Sequence, residues 1–184
     1  MNFEFEKLAL EGLILVTPKV YSDNRGFFQE CYKKSDFVKN GIDCEFVQDN
    51  HSKSSKGVLR GLHYQAKPMA QSKLIRCIKG EILDFAVDIR PDSKSFKKWI
   101  KVELSEENRN MLFVPEGFAH GFVVLSDEAE MIYKINREYS PEHDRGFLWS
   151  DDEINVDWDI ENPILSEKDK SQPKFSEINK GELL

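Results

Sequence analysis

Apolar and polar residues alternate with a period of two in many short stretches of this chain, most clearly over residues 82–89. There Leu83, Phe85 and Val87 fall on one face and Asp84 falls on the other. Because successive side chains of a strand point to opposite faces, this pattern predicts a half-buried strand. Similar stretches recur about every ten residues with turn signals between them, which predicts an all-β sandwich or barrel: 13–17, 45–48, 74–78, 99–104, 110–114, 121–125 and 130–135.

The same pattern leaves room for only a few short helices. Ser35 is a candidate cap for residues 36–40, and the run 166–169 ends in the carboxylate that a capping box needs. We find no repeat, low-complexity tract or linker, so residues 1–184 are interpreted as one domain with a sizeable core. Residues 173–184 are polar with few apolar anchors, and we expect a loosely held tail there.

Composition narrows the classes of function. The 184 residues have a formal net charge of -7 and a pI of about 5.2. A general nucleic-acid binder needs a basic footprint, so we expect no nucleic-acid partner, although a local basic pocket could still hold a small anion.

Three features bear on the compartment. Cys31, Cys44 and Cys77 are an odd set without a CxxC pair, which favours free thiols in a reducing compartment over a disulfide framework. The N-terminus is acidic where a signal peptide would be basic. No apolar run reaches the roughly 20 residues of a membrane-spanning helix. We therefore expect a cytoplasmic protein without a membrane partner.

The segment GVLRGLHYQ, residues 57–65, carries the most chemical information. Its strand-like pattern is interrupted by Gly61, and glycine inside a strand often marks a bulge or a close approach of a ligand. A bulge would change which side chains face the same way. Arg60, a phosphate-type binder, and His63, a proton shuttle, could then reach one cavity.

The four histidines do not have the spacing of a metal site. A metal-binding β-barrel of the cupin kind would have two histidines close together on one strand, whereas neither His63 nor His120 has another histidine within four residues. We expect no metal and no cofactor. On spacing alone His63 is equally a general base or a strand histidine bonded to a carbonyl, and packing is the simpler role for His120.

Three further residues have both a structural and a chemical interpretation. Lys73 shares a predicted strand face with apolar residues, where an ammonium is costly unless it meets an anion or lies at a strand end. Tyr133 is expected to be buried, and a buried tyrosine usually finds a hydrogen-bond partner. Asp169 could be a helix-capping carboxylate or could orient His63 as in a catalytic triad.

Two polar segments look like turns. Arg25 lies in Asp-Asn-Arg-Gly, where a surface arginine and a phosphate-binding arginine are both consistent with the sequence. Residues 48–51, Gln-Asp-Asn-His, follow a predicted strand. As a turn they need no function, but their amides could also bind a pyrimidine or a sugar.

Seven segments, in order along most of the chain, together resemble the dTDP-4-dehydrorhamnose 3,5-epimerase family. They are DNRGFFQE, FVQDNHS, GVLRGLHYQ, QSKLIRCIKGEILDFAVDIR, FVPEGFAHGFVVLSD, YKINREYSPEHDRG and LSEKD. The resemblance implies a cupin-like jelly-roll or β-sandwich without a metal, usually a homodimer, that epimerises a nucleotide-sugar substrate. The match over residues 151–163 is looser than elsewhere.

By this resemblance His63 is the base, Asp169 orients it, Tyr133 is the acid on the opposite face of the sugar, and Lys73 stabilises the enolate oxygen. The residues that match the nucleotide-sugar site are Arg25, Glu30, Gln48, Asp49, Asn50, Arg60, His120, Tyr139, Glu142 and Lys168, of which Tyr139 would stack on thymine.

The implied reaction inverts C3 and C5 of dTDP-4-dehydro-6-deoxy-D-glucose, giving dTDP-4-dehydro-L-rhamnose in dTDP-L-rhamnose biosynthesis. Both carbons are α to the C4 ketone, so removal of either proton gives an enolate that a fixed positive charge can stabilise. Three alternatives stay open: an epimerase that inverts only one carbon or uses another nucleotide, a non-catalytic sugar-nucleotide binding module, and a metal-dependent cupin.

Overall fold

Two antiparallel sheets and one separate hairpin account for the strands of this computed structural model, which describes residues 2–183. Within that range the strands are β1 Phe3–Lys7, β2 Ile14–Pro18, β3 Val20–Asp23, β4 Gly26–Gln29, β5 Gln48–Ser55, β6 Leu59–Gln65, β7 Lys73–Lys79, β8 Glu81–Asp88, β9 Trp99–Ser105, β10 Met111–Val114, β11 Phe118–Val124, β12 Glu128–Ile135 and β13 Asp144–Gly146. The helices are short: α1 Lys34–Lys39, α2 Glu167–Lys170, and 3-10 turns at Phe175–Glu177 and Lys180–Glu182.

Strand order defines the two layers. Sheet 1 has the order β1-β2-β10-β7-β12-β5, and sheet 2 has the order β13-β6-β11-β8-β9. Strands β3 and β4 pair only with each other, and we call this hairpin the arm. The all-β, cupin-like sandwich with a few short helices is confirmed.

Apolar side chains from both sheets fill the space between them. Ile75 of β7 and Leu112 of β10 meet Ala86 of β8 and Phe122 of β11 in one buried cluster. Full burial of one such side chain stabilises the fold by about 1.5–3 kcal/mol. This layer holds the strands in the register that positions the polar residues described below.

The outer face of sheet 2 is also covered, because the chain after β13 crosses it. Phe147, Trp158 and Phe175 pack there against Leu62 and Phe85. The prediction that residues 82–89 form a half-buried strand is therefore wrong for β8, whose two faces are both buried over most of its length. One face meets sheet 1, and the other meets this C-terminal segment.

The expectation of a loose tail over residues 173–184 is also corrected, apart from Leu184, which lies outside the described residues. Phe175 and Leu183 are 4% and 8% exposed, and they belong to the core cluster on the outer face of sheet 2. The Phe175 N–H donates to the Asp151 carboxylate at 2.8 Å. The few apolar anchors of the tail are thus the ones that are buried.

Two local predictions also change. Ser35 lies inside α1 instead of capping it, because the helix begins at Lys34, two residues earlier than predicted, with Lys33 at the N-cap. Residues 48–51 belong to β5 and are not a turn, and no strand covers most of the predicted stretch 45–48. The capping interaction at residues 166–169 is present, since Ser166 Oγ accepts the Asp169 N–H at 3.1 Å.

Candidate active site

A bulge at Gly61 shapes the first wall of the site. His63 of β6 pairs with His120 of β11, and Arg60 pairs with Phe122, so β6 has one extra residue between the two pairs. Gly61 has a φ of +142°, and a Cβ there would lie 2.6 Å from the backbone of β11, so only glycine fits. Past the bulge, Arg60 and His63 line the same cavity.

This cavity, which we call the reaction cavity, has a volume of about 520 Å³. Its walls come from β5, β7 and β12 of sheet 1, from β6 and β11 of sheet 2, and from α2 with the residues before it. It brings together seven predicted site residues from distant parts of the chain: Arg60, His63, Lys73, His120, Tyr133, Lys168 and Asp169.

His63 and Asp169 form a close pair, with 2.5 Å between Nε2 and Oδ1. The second carboxylate oxygen of Asp169 accepts the hydroxyl of Ser166 at 2.8 Å. Burial alone would raise the pKa of Asp169, but the hydrogen bonds to His63 and Ser166 outweigh it and hold the pKa below its usual range. An ionised carboxylate only accepts, so the proton lies on His63 Nε2, and Nδ1 is left to accept a proton.

Lys73 begins β7 in the opposite sheet and lines the same cavity. Burial lowers the pKa of its ammonium to about 8, while the charges of Asp84 and Asp144 act in the opposite direction. A cation in a partly dry wall is a strong stabiliser of a negative oxygen placed against it.

Tyr133 of β12 lies in sheet 1, whereas His63 lies in sheet 2, and both line the reaction cavity. Burial raises the pKa of the Tyr133 hydroxyl, with Arg60 opposing the shift. The hydroxyl is therefore protonated at neutral pH and can donate a proton.

A second histidine–carboxylate pair lies in the wall of the cavity. His120 Nε2 is 2.9 and 2.8 Å from the two carboxylate oxygens of Asp84 on β8. Burial lowers the pKa of His120 in spite of the opposing charge of Asp84. The sequence interpretation did not single out Asp84 as a functional residue. The sequence feature that could have identified it is an aspartate on the same strand face as the apolar residues Ile82 and Ala86.

A second cavity of about 340 Å³ adjoins the first, since His63, Lys73, Tyr133 and Lys168 line both. The predicted residues Gln48, Asn50 and Tyr139 line this second cavity, which we call the outer cavity.

The side chains of the outer cavity are tied together by hydrogen bonds. The Gln48 amide donates to Asn50 at 2.8 Å and accepts the Tyr139 N–H at 3.1 Å. The Tyr139 hydroxyl donates to Asp144 at 2.9 Å, and Lys168 forms an ion pair with the same carboxylate.

Two of the residues predicted to bind the nucleotide sugar, Asp49 and Glu142, lie outside both cavities. Asp49 follows Gln48 on β5 and so points to the opposite face, where its carboxylate pairs with Lys134 at 2.8 Å. Glu142 is exposed in the turn before β13. Neither side chain lines the reaction cavity or the outer cavity, and their role in binding the nucleotide sugar stays a prediction.

Arg25 and Glu30 are also absent from the two cavities of this chain. The Arg25 side chain is 85% exposed at the tip of the arm, where it pairs with Asp23 at 2.6 Å. Glu30 directly follows the arm. Both residues belong to the part of the chain that pairs with neither sheet.

Two further observations concern residues 2–183. No group of three or more His, Cys, Asp or Glu side chains in that range is arranged to hold a metal ion. Over the same residues, no helix combines the length and the apolar character needed to cross a membrane.

Comparison with known proteins points to one family. A family model described as dTDP-4-dehydrorhamnose 3,5-epimerase matches residues 7–177. A dTDP-4-dehydrorhamnose 3,5-epimerase of Shigella flexneri is 55% identical over 170 residues, which cover 92% of this chain and 94% of the relative.

Two solved structures are informative neighbours. The dTDP-6-deoxy-D-glucose-3,5-epimerase of Legionella pneumophila, in complex with dTDP-4-keto-L-rhamnose, has a TM-score of 0.95 and 40% identity, and the match covers 98% of this chain and 97% of the neighbour. A 3'-monoepimerase of Streptomyces bikiniensis, in complex with dTDP-quinovose, has a TM-score of 0.87 and 29% identity, and the match covers 93% and 87%.

Proposed function

Because this chain belongs to the dTDP-4-dehydrorhamnose 3,5-epimerase family, we propose that it inverts C3 and C5 of dTDP-4-dehydro-6-deoxy-D-glucose to give dTDP-4-dehydro-L-rhamnose. One observation carries this proposal: a base candidate, His63, and an acid candidate, Tyr133, line one cavity from opposite sheets. Inversion needs a proton removed from one face of the sugar and returned on the other, so two groups on different walls suit it.

In this mechanism His63 removes the proton from C3 or C5. Its Nε2–H is held by Asp169, which fixes the ring and stabilises the imidazolium that forms when Nδ1 takes the proton. Proton transfer by a positioned group of this kind contributes about 10²–10⁴-fold to a rate.

Removal of the proton moves negative charge onto the C4 oxygen. Lys73 is the cation in the cavity wall best suited to meet that oxygen, because its side chain lies among the reacting groups and not at the rim with Lys168. A charge fixed in advance stabilises the enolate without reorganising the site during the reaction.

Reprotonation from the other wall completes the inversion. Tyr133 is kept neutral by its raised pKa, so at neutral pH it has the proton to give. The tyrosinate that results is stabilised by the nearby charge of Arg60, which partly opposes the rise in the pKa of Tyr133 that burial causes. Exchange with solvent then restores both groups.

The outer cavity is suited to the nucleotide. Tyr139 offers a half-exposed ring on which thymine can stack, and the amides of Gln48 and Asn50 offer donors and acceptors. Arg60 and Lys168 supply positive charge for the diphosphate. Binding energy from these remote contacts holds the ring while C3 and then C5 are presented to the same pair of groups.

We further propose that a second copy of the chain completes this site. The arm pairs with neither sheet and exposes Phe27 and Phe28, which are 56% and 65% accessible. An exposed aromatic pair beside Arg25 and Glu30 is suited to docking on another copy, and a symmetric exchange of arms gives a homodimer.

Mixing two inactive variants tests the exchange of arms. Arg25→Ala and His63→Ala, refolded together, form heterodimers in which one reaction cavity has His63 and receives an intact arm. Recovery of activity in the mixture supports exchange, while a mixture as inactive as its components contradicts it.

The free thiols of Cys31, Cys44 and Cys77 support a cytoplasmic location, because they form no disulfide with one another. The proposed product, dTDP-4-dehydro-L-rhamnose, supports a place for the protein in dTDP-L-rhamnose biosynthesis.

The decisive experiment is NMR of dTDP-4-dehydro-6-deoxy-D-glucose with the purified protein in deuterated buffer containing a chelator. Deuterium at both C3 and C5 is expected, with activity retained in the chelator. Label at one carbon would favour a monoepimerase, the activity of the Streptomyces bikiniensis neighbour. Binding without label would favour a binding module, and loss of activity in chelator a metal-dependent cupin.

A further inference from the structure

Asp84 has no role in the mechanism proposed for His63, Lys73 and Tyr133, although it contacts His120, which lines the reaction cavity. Its side chain is fully buried on β8, and both of its carboxylate oxygens are within hydrogen-bond distance of His120 Nε2, at 2.9 and 2.8 Å. A buried carboxylate is costly unless charge and hydrogen bonds compensate it. The compensation here comes from His120 and from the nearby ammonium of Lys73, which line the reaction cavity.

Building on the proposed function, we propose that Asp84 is a positioning residue that acts on the reaction through His120 and Lys73. It holds the His120 ring with the proton on Nε2, and its charge keeps Lys73 in the ammonium form that meets the enolate oxygen. Asp84 itself does not touch the sugar.

The geometry at His120 supports the first half of this proposal. A carboxylate only accepts hydrogen bonds, so the ring nitrogen between the two oxygens carries the proton. Burial keeps the pKa of His120 below its usual value, so the ring is neutral and Nδ1 remains an acceptor. A neutral acceptor can bind a sugar hydroxyl without competing with Lys73 for the enolate.

Charge at Lys73 supports the second half. Burial lowers the pKa of Lys73 to about 8, and Asp84 is the strongest opposing influence, ahead of Asp144. Asp84→Asn removes this opposing charge, so we expect the pKa of Lys73 to be lower in that variant. The titratable groups around Lys73 on the surrounding elements are His63 on β6, Asp84 on β8, His120 on β11, Tyr133 on β12, Asp144 on β13, and Lys168 and Asp169 on α2.

The same strand supplies a matched control. Asp88 lies four residues after Asp84 on the same strand face and is also fully buried. Its carboxylate accepts hydrogen bonds from Arg90, Ser93 and Ser95 at 2.6–2.9 Å and lines neither cavity. Asp88→Asn therefore removes a buried charge from β8 without changing the surroundings of Lys73.

The test measures deuterium incorporation at C3 and C5 as a function of pH for the full-length wild type, Asp84→Asn and Asp88→Asn. For Asp84→Asn we expect a rate about 10²-fold lower at neutral pH, with a smaller change in KM. Since Lys73 must be protonated, the rate falls above its pKa, and in Asp84→Asn this fall moves to lower pH.

Asp88→Asn is expected to keep the wild-type pH profile, even where its folding is weakened. The proposal is overturned if Asp84→Asn keeps the wild-type rate and profile, or if Asp88→Asn shifts the profile equally. Label at both carbons in the wild type tests the proposed function separately, so failure of one proposal is distinguishable from failure of the other.

A measurement on the wild type covers the case in which Asp84→Asn does not fold. Long-range ¹H–¹⁵N NMR reports which ring nitrogen carries the proton, and His120→Gln assigns the signals. A proton on Nε2 of His120 across neutral pH is expected. A proton on Nδ1 alone would contradict the role given to Asp84.

Discussion

The two histidine–carboxylate pairs of the reaction cavity are built from different parts of the molecule. His120 and Asp84 lie on adjacent strands of sheet 2, and their side chains are 9% and 0% exposed. His63 lies on the same sheet, but its partner Asp169 comes from α2, 106 residues further along the chain, and the His63 side chain is 30% exposed.

Strand register positions the pair of Asp84 and His120, whereas the docking of the C-terminal segment on sheet 2 positions the pair of His63 and Asp169. The pairing of β8 with β11 determines where Asp84 and His120 lie, so that pair persists as long as sheet 2 does. The pair of His63 and Asp169 also requires the C-terminal segment to stay on the outer face of sheet 2. Segments that dock on a finished sheet open at lower free energy than the sheet itself.

The largest expected effect comes from His63→Ala, which removes the base from the pair of His63 and Asp169. We call these two residues the docked pair. We expect the rate of deuterium incorporation at C3 and C5 to fall about 10³-fold or more. Because the outer cavity keeps Tyr139 and Gln48, affinity for dTDP should change little, and calorimetry can measure it.

His51→Ala is the matched control, because the His51 side chain is 55% exposed and pairs with Glu130 on the surface. It should keep the wild-type rate. A His63→Ala protein that is unfolded, or one that keeps its activity, would favour the structural interpretation of His63.

Phe175→Ala is expected to disturb the docked pair although Phe175 forms no hydrogen bond with either of its residues. Phe175 is 4% exposed and meets Phe147 edge-on at 5.0 Å between ring centroids. Phe175→Ala should lower the free energy of unfolding by about 3–5 kcal/mol. Because the segment carrying Asp169 is loosened, the exchange rate should fall as well, while the proton stays on His120 Nε2.

Chemical denaturation, exchange kinetics and histidine NMR check these three outcomes. Val47→Ala, at a position that is 52% exposed, is the control and should change stability little. If Phe175→Ala disturbed both histidine pairs alike, the two pairs would not be positioned independently, by strand register in one case and by docking in the other.

How much of the fold the sequence predicts depends on the same distinction between strand register and docking. Alternation located β8, β9 and β12, and a glycine inside a strand-like stretch indicated the bulge at Gly61, because these signals lie within a few neighbouring residues. The turn interpretation of residues 48–51 failed because a strand that lines a cavity has polar side chains like those of a loop. The docking of Phe175 and Leu183 depends on an apolar surface that distant strands create.

The same distinction applies to the predicted site residues, whose roles stay predictions. His63, Lys73, Tyr133 and Asp169 meet in one cavity, although they are far apart in the chain. That meeting was expected from family resemblance and not from spacing. Asp49 lies one strand step away from the residues that line the outer cavity, and its role stays a prediction, as do those of Arg25 and Glu30 beside the arm.

Tyr133→Phe examines the wall opposite both pairs. The ring keeps its packing but cannot return a proton, so we expect net inversion to fall about 10²-fold while His63 still exchanges protons. NMR in deuterated buffer should show label at C3 or C5 without a matching amount of inverted sugar. Inversion at the wild-type rate would remove Tyr133 from the acid role.

The smallest expected effect comes from Ser166, which holds the docked pair at short range. Its hydroxyl donates to Asp169 at 2.8 Å and also accepts the Asp169 N–H, so one side chain caps α2 and orients the carboxylate. Ser166→Ala should cost about 1 kcal/mol of stability and slow deuterium exchange by about 5- to 10-fold.

Ser166→Thr should restore most of both losses because threonine retains the hydroxyl and caps helices nearly as well. Ser171→Ala, at the other end of α2, is the control, since its hydroxyl donates to the carbonyls of Glu167 and Lys168 and not to Asp169. Equal slowing by Ser166→Ala and Ser171→Ala would mean that exchange depends on the helix as a whole. Slowing by Ser166→Ala alone would mean that the orientation of one carboxylate sets the strength of the base.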